Sequence, residues 1–121
     1  MEAINKVELQ GEFGYCNISE VGETQVAKFS LCTRRVVKQN GEITIETLWH
    51  SCVAFEKTCR HFDVLQSLTA GDGIHVIGRL KYHEFIDNSN SSHMITEIFV
   101  SDIDKVNQNG WVTSSNSKTQ A

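Results

Sequence analysis

Proline is absent from all 121 residues, so no stretch forms a polyproline linker or a proline-based recognition tail. Cysteine occurs at Cys16, Cys32, Cys52 and Cys59 but never as a Cys-x-x-Cys pair. The spacing of Cys52, Cys59 and His61 fits no closed four-ligand zinc site, so the thiols read as buried and reduced, and no metal or cofactor is expected. No apolar run approaches the roughly 20 residues of a membrane-spanning helix. The start, Met1-Glu2-Ala3-Ile4, is acidic and lacks the apolar stretch of an export signal. Reduced thiols without such a signal suit the cytoplasm, with no membrane partner. A glycine-rich phosphate loop and a nucleophile elbow are both missing.

Positive charge is also in deficit, with a formal net of −4. Its distribution matters more than its sum. Up to Ala27, Lys6 stands against Glu2, Glu8, Glu12, Glu20 and Glu23. The middle section reverses the balance: Lys28, Arg34, Arg35, Lys38, Lys57 and Arg60 meet only Glu42, Glu46 and Glu56. A groove can be basic on an acidic protein, because the local field decides what binds in it.

What is present is mostly β pattern. Lys6 to Phe13 alternates apolar and polar residues, as a half-buried strand does. Gly14 to Glu23 reads as a polar connection, and Val26 to Thr33 as a second strand with Ala27, Phe29 and Leu31 on one face. Asn40-Gly41 is a tight-turn signal before a third strand, Ile43 to Phe55. The period then changes: Phe62, Leu65 and Leu68 sit at helical spacing within Thr58–Leu68, and Gly71 and Gly73 follow as a stop. Ile74–Ile86 and His93–Val106 are the fourth and fifth strands, joined by a loop over Asp87–Ser92. Three strands, a short helix and two strands is the OB-fold order, so an all-β, five-stranded, partly open barrel is predicted, with an antiparallel sandwich as the alternative. Residues 1–106 form this one domain, and residues 107–121, polar apart from Trp111 and Val112, form a short tail.

Period two sorts the third and fourth strands into faces. Trp49, Ser51, Val53 and Phe55 point one way, and Leu48, His50, Cys52 and Ala54 the other. In the fourth strand Arg79, Lys81, His83 and Phe85 share a face. Taken singly, the rings read as core and the cations as wet surface. Together, on strands that form the usual binding face of this fold, rings and cations suit unpaired nucleic acid: rings stack bases and cations follow phosphates.

The chain also resembles the bacterial single-stranded DNA-binding protein family over nearly all of Asn5–Val106. The matching pieces are Asn5-Lys6-Val7, Gly11 and Gly14, Val26 to Leu31, Thr47-Leu48-Trp49-His50, Ala54-Phe55-Glu56-Lys57, Gly78-Arg79-Leu80 and Thr96-Glu97-Ile98. The resemblance implies a homotetramer that wraps single-stranded DNA without sequence preference, protecting it during replication, recombination and repair. It implies stacking by Trp49, Phe55 and Phe85, the last where the family usually carries tryptophan, and a subunit-interface role for His50. Phosphate contacts are expected from Lys6, Arg34, Arg35, Lys38, Lys57, Arg79 and Lys81. The family's loop tryptophan is replaced by Arg35-Val36-Val37-Lys38. The end, Asn116 to Ala121, lacks the acidic tip through which relatives recruit replication and repair proteins, so recruitment by that route is not expected.

Three other readings are weighed beside this one. A primosome-type replication protein shares the fold, but intact Trp49 and Phe55 favour the first reading. An enzyme would need paired acids or a base beside a nucleophile; Asp102 and Asp104 share a strand face at period two, but acids in a last strand read as solvated. A purely structural oligomer would bind nothing in a salt-dependent way.

Overall fold

In a computed structural model, residues 1–107 are described. The expectations for Trp111 and for the Asn116–Ala121 end fall outside them. Five strands carry the chain: β1 (Val7–Val21), β2 (Thr24–Gln39), β3 (Glu42–Phe55), β4 (Gly73–Ile86) and β5 (Ser92–Val106). They close into a barrel in the order β1-β2-β3-β5-β4, with β4 pairing back onto β1. Neighbours are antiparallel except β3 and β5, which run parallel from Cys52–Ile98 to Ala54–Val100. A short 3-10 helix of six residues, η1 (Phe62–Ser67), separates β3 from β4. This is the five-stranded barrel with one connecting helix that the sequence pattern predicts.

Alternation along each strand fills the barrel. Phe13, Ala27, Phe29, Leu31, Cys52, Ala54, Ile74, Val76, Ile98, Val100 and Ile103 form one apolar cluster. The connection after β3 plugs one end with Cys59, Phe62 and Leu65. These recur every third residue, which is the repeat of a 3-10 helix, so the ordered turn is tighter and shorter than Thr58–Leu68 suggests. At the far end of β2–β3, Asn40 (φ 53°) and Gly41 (φ 81°) make the hairpin turn their dipeptide predicts.

Two strands run further than their patterns, β2 continuing past Thr33 to Gln39 and β1 past Phe13. The polar segment from Gly14 is not a connection: β1 continues to Val21, paired against Thr24–Phe29. The register shifts between Phe13 and Cys16. This bulge moves the inward phase from Leu9, Gly11 and Phe13 to Cys16 and Ile18, which makes one strand look like a strand and a loop. Upstream of the bulge β1 lies so close to β2 that a Cβ on Gly11 would overlap the carbonyl oxygen of Cys32.

All four cysteines are free, three of them buried and Cys16 half-buried. Burial pushes the Cys52 thiol up to about 12, with a smaller push from Glu97. Burial likewise holds Cys59 at about 12, aided by the Asp102 and Asp104 carboxylates. No helix among the described residues is long and apolar enough to cross a membrane.

Two outcomes follow from this packing. Gly11→Ala lowers stability by about 1–3 kcal/mol in urea unfolding, while Ser19→Ala, on an exposed part of the same strand, shifts it by less than about 0.5 kcal/mol. An unmoved midpoint for Gly11→Ala contradicts the close approach of β1 and β2. At neutral pH iodoacetamide leaves Cys52 and Cys59 intact in the native protein and alkylates both after unfolding, as mass spectrometry reads directly. Alkylation of either in the native state contradicts their burial.

Candidate nucleic-acid interface

The outward face of β3 carries Trp49, Ser51, Val53 and Phe55, because Cys52 and Ala54 between them point into the core. Closure of β3 onto β5 places Val53 opposite Phe99. The antiparallel β4–β5 pair places Arg79 opposite Phe99 and Lys81 opposite Glu97. Three strands thus deliver side chains to one patch. The Phe55 and Phe99 rings tilt against each other with centroids 5.4 Å apart. Above Phe99 lie the Arg79 guanidinium, 5.6 Å from its centroid, and the Lys81 ammonium, 5.1 Å away. Both distances lie within cation–π range, so the ring orients the cations that flank it.

Two clefts share this ring pair. One, of about 450 Å³, adds Lys57, Thr58 and Arg79 to Phe55 and Phe99. The other, of about 420 Å³, adds Lys28, Lys81, His83 and Glu97. Glu97 is engaged by His83 Nε2 at 2.8 Å, leaving Lys28, Lys57, Arg79 and Lys81 as the patch's positive charge. An acidic protein therefore carries a locally basic, ring-lined surface.

Trp49 continues the same face of β3 and is 61% exposed, so it is not a core residue. Its indole leans on Gly14, where a Cβ would stand 2.8 Å from Cζ3. Beside it a third cleft, of about 480 Å³, is lined by Phe13, Gly14, Tyr15, Ser30, Trp49 and Gly71. Phe85 sits on the outlying part of the β4–β5 hairpin, 45% exposed, stacked on His93 at 5.1 Å. His93 Nε2 meets Asp87 Oδ2 at 2.6 Å, and contacts from His93, Ser91 and Ser89 pull the Asp87 carboxyl down to about 2.

The sequence-predicted cations divide. Arg79, Lys81 and Lys57 gather at the ring pair. Lys6 lies beside that edge, since the neighbouring Asn5 side chain bonds both Leu80 N and Leu80 O at 2.9 Å. Arg34 shares Trp49's face of the sheet but is ion-paired to Glu12. Arg35 points to the opposite face, bonded to Glu46 Oε1 at 2.8 Å, and is not brought to the rings. Lys38 stands at the exposed tip of β2, opposite Ile43. His50 lies on the core-facing side of β3, half-buried, sharing a 2.9 Å hydrogen bond with the Thr33 hydroxyl. Burial lowers its pKa, which favours the neutral ring.

Sequence reasoning missed Phe99, Tyr15 and Lys28. A signal for Phe99 was present: Ile98-Phe99-Val100 breaks the alternation with three apolar residues, and the middle one must face out. Tyr15 was hidden by the bulge.

A closed five-stranded barrel bearing exposed rings and cations on one curved face defines an oligonucleotide-binding protein of the OB type. The sequence pattern of the Single-strand binding protein family matches residues 4–106, and the chain belongs to that family. It is similar to the mitochondrial single-stranded DNA-binding protein of Danio rerio, 27% identical over 117 residues, covering 89% of this chain and 80% of that one. The single-stranded DNA-binding protein of Bacteroides thetaiotaomicron is 30% identical over 113 residues, covering 89% and 69%. Among solved structures, the Plasmodium falciparum protein in complex with single-stranded DNA superposes with a TM-score of 0.77 at 26% identity, over 88% of this chain and 98% of that one.

Because Trp49 is exposed and rests on backbone, Trp49→Ala leaves the circular dichroism and thermal transition of the fold unchanged. It weakens binding to oligo-dT by about 1–3 kcal/mol in a fluorescence-anisotropy titration. Loss of the fold in this variant would show that the indole is structural.

Proposed function

We propose that this chain binds single-stranded DNA without reading its sequence, protecting and organising it during replication, recombination and repair. Bases stack on Trp49, Phe55, Phe99 and Phe85, while Lys28, Lys57, Arg79 and Lys81 follow the phosphates, with Lys6, Arg34 and Lys38 extending the path. The observation that carries this reading is the half-buried Phe55–Phe99 pair with two exposed cations above it on the curved face of the barrel. Every base has a flat π-face, so a ring platform holds all of them alike. The role is binding rather than turnover. Asp102 and Asp104, the paired acids an enzyme would use, both approach His61 within ion-pairing distance and line neither ring cleft.

The protein works as a homo-oligomer, a tetramer on the family pattern. In support, Leu48, Tyr82, Ile86 and Met94 are large, apolar and exposed on sheet faces turned away from the rings, and apolar surface of this kind marks association. His50, neutral and anchored by Thr33, lies on the same side of β3 as Leu48.

Titration with oligo-dT of increasing length, with the mass of the assembly measured in parallel, tests both parts. A tetramer is expected whose affinity falls with salt by about 0.7 log units per log unit for each neutralised phosphate. The double reversal Arg79→Glu, Lys81→Glu flattens that slope by roughly 1.4. Binding indifferent to salt contradicts the phosphate path, and a monomer at all lengths contradicts the assembly.

A further inference from the structure

On another side of the barrel, two short sequences far apart in the chain meet. His61 follows Cys59 and Arg60 in the connection after β3, whereas Asp102 and Asp104 belong to β5. A parallel bridge joins Arg60 to Asp102. Within it Arg60 N–H donates to Ser101 O at 2.8 Å and Ile103 N–H donates to Arg60 O at 3.2 Å. Ile103 is fully buried, so period two turns Asp102 and Asp104 together to the other side of β5, and His61 meets both there. Its Nδ1 stands 2.9 Å from Asp102 Oδ1 and 3.3 Å from Asp104 Oδ1.

The geometry points to a site for one divalent transition-metal ion of the zinc type, held by His61 Nδ1 and one carboxylate oxygen from each of Asp102 and Asp104. Water completes the shell. The three donor atoms all lie within 4.8 Å of one another. Tetrahedral zinc with bonds near 2.0–2.2 Å sets its ligand atoms roughly 3.4 Å apart, so the imidazole and carboxylates already stand near that spacing. An imidazole beside two carboxylates suits zinc and its neighbours, whereas magnesium and calcium favour shells of oxygen alone.

A second observation supports the site. The three side chains are only 19%, 27% and 15% exposed, unlike an ordinary surface cluster of acids. Charge held partly out of water is less screened, and attracts a cation more strongly, than charge in bulk water. The remaining histidine–acid contacts, His75 with Glu8, His83 with Glu97 and His93 with Asp87, each involve one carboxylate. Among the described residues no other set of three donors gathers in this way. A bound ion ties the β3–β4 connection to β5 just past Ser101, which lines the cleft containing Lys57 and Phe99. Metal binding therefore stiffens one wall of the ring-lined face.

The test uses the whole chain, stripped with a chelator, dialysed and titrated with zinc chloride in a calorimeter, with thermal unfolding read in parallel. One ion per chain and a Tm raised by several degrees are expected. His61→Gln and Asp104→Asn should each weaken binding by about tenfold or more, while Glu46→Gln, at the separate Arg35 ion pair, leaves it unchanged. Oligo-dT binding and circular dichroism confirm that each variant is folded. Where a variant does not fold, cobalt(II) added to the unaltered chain decides: intense tetrahedral d–d bands support the site, and the weak spectrum of the hydrated ion overturns it. Absence of binding by the parent chain, or equal binding by a folded His61→Gln variant, also overturns it.

Discussion

Everything on the functional face depends on how the barrel closes. The parallel contact of β3 with β5 is short, from Cys52–Ile98 to Ala54–Val100, yet it fixes which side chains of the two strands are neighbours. With Cys52, Ala54, Ile98 and Val100 committed to the core, Phe55 and Phe99 are forced outward side by side. A slip of one residue would exchange core and surface along a whole strand. The burial that stabilises the barrel therefore also specifies the ring platform, and the long antiparallel β4–β5 pairing brings Arg79 and Lys81 to it.

Electrostatics then acts locally. The protein is acidic as a whole, at −4, but several of its acids are engaged away from the rings. Glu12 holds Arg34, Glu46 holds Arg35, Glu8 meets His75, and Asp102 and Asp104 meet His61. On the ring face Glu97 is bonded to His83, and the cations over Phe99 are oriented by the ring. A polyanion approaching this face meets oriented positive charge on a curved apolar floor. Such a surface combines stacking with phosphate attraction without selecting bases.

Most of the barrel was legible because each strand declares itself by alternation and the hairpin turn by Asn40-Gly41. The β1 bulge was not, since a single extra residue reverses the phase and disguises strand as loop. Trp49, Phe55, Arg79 and Lys81 could be placed on faces by counting alone. Phe99 could not be joined to them, because no count along one strand gives the register of another. Ion pairing between distant segments was equally hidden. Arg34 and Arg35 look alike in sequence, but adjacent strand residues face opposite ways, so only Arg34 shares the sheet face of Trp49. The same limit separated His61 from Asp102 and Asp104, which meet only through the Arg60–Asp102 bridge.

The central claim is that unpaired bases lie directly on the rings of this outer face. Ultraviolet cross-linking of the protein to oligo-dT, with attachment sites mapped by mass spectrometry, reads that contact at the level of the residue. The account predicts adducts on the peptides carrying Trp49, Phe55 and Phe99. Adducts confined to the opposite faces, at Leu48, Tyr82 or Met94, would contradict it.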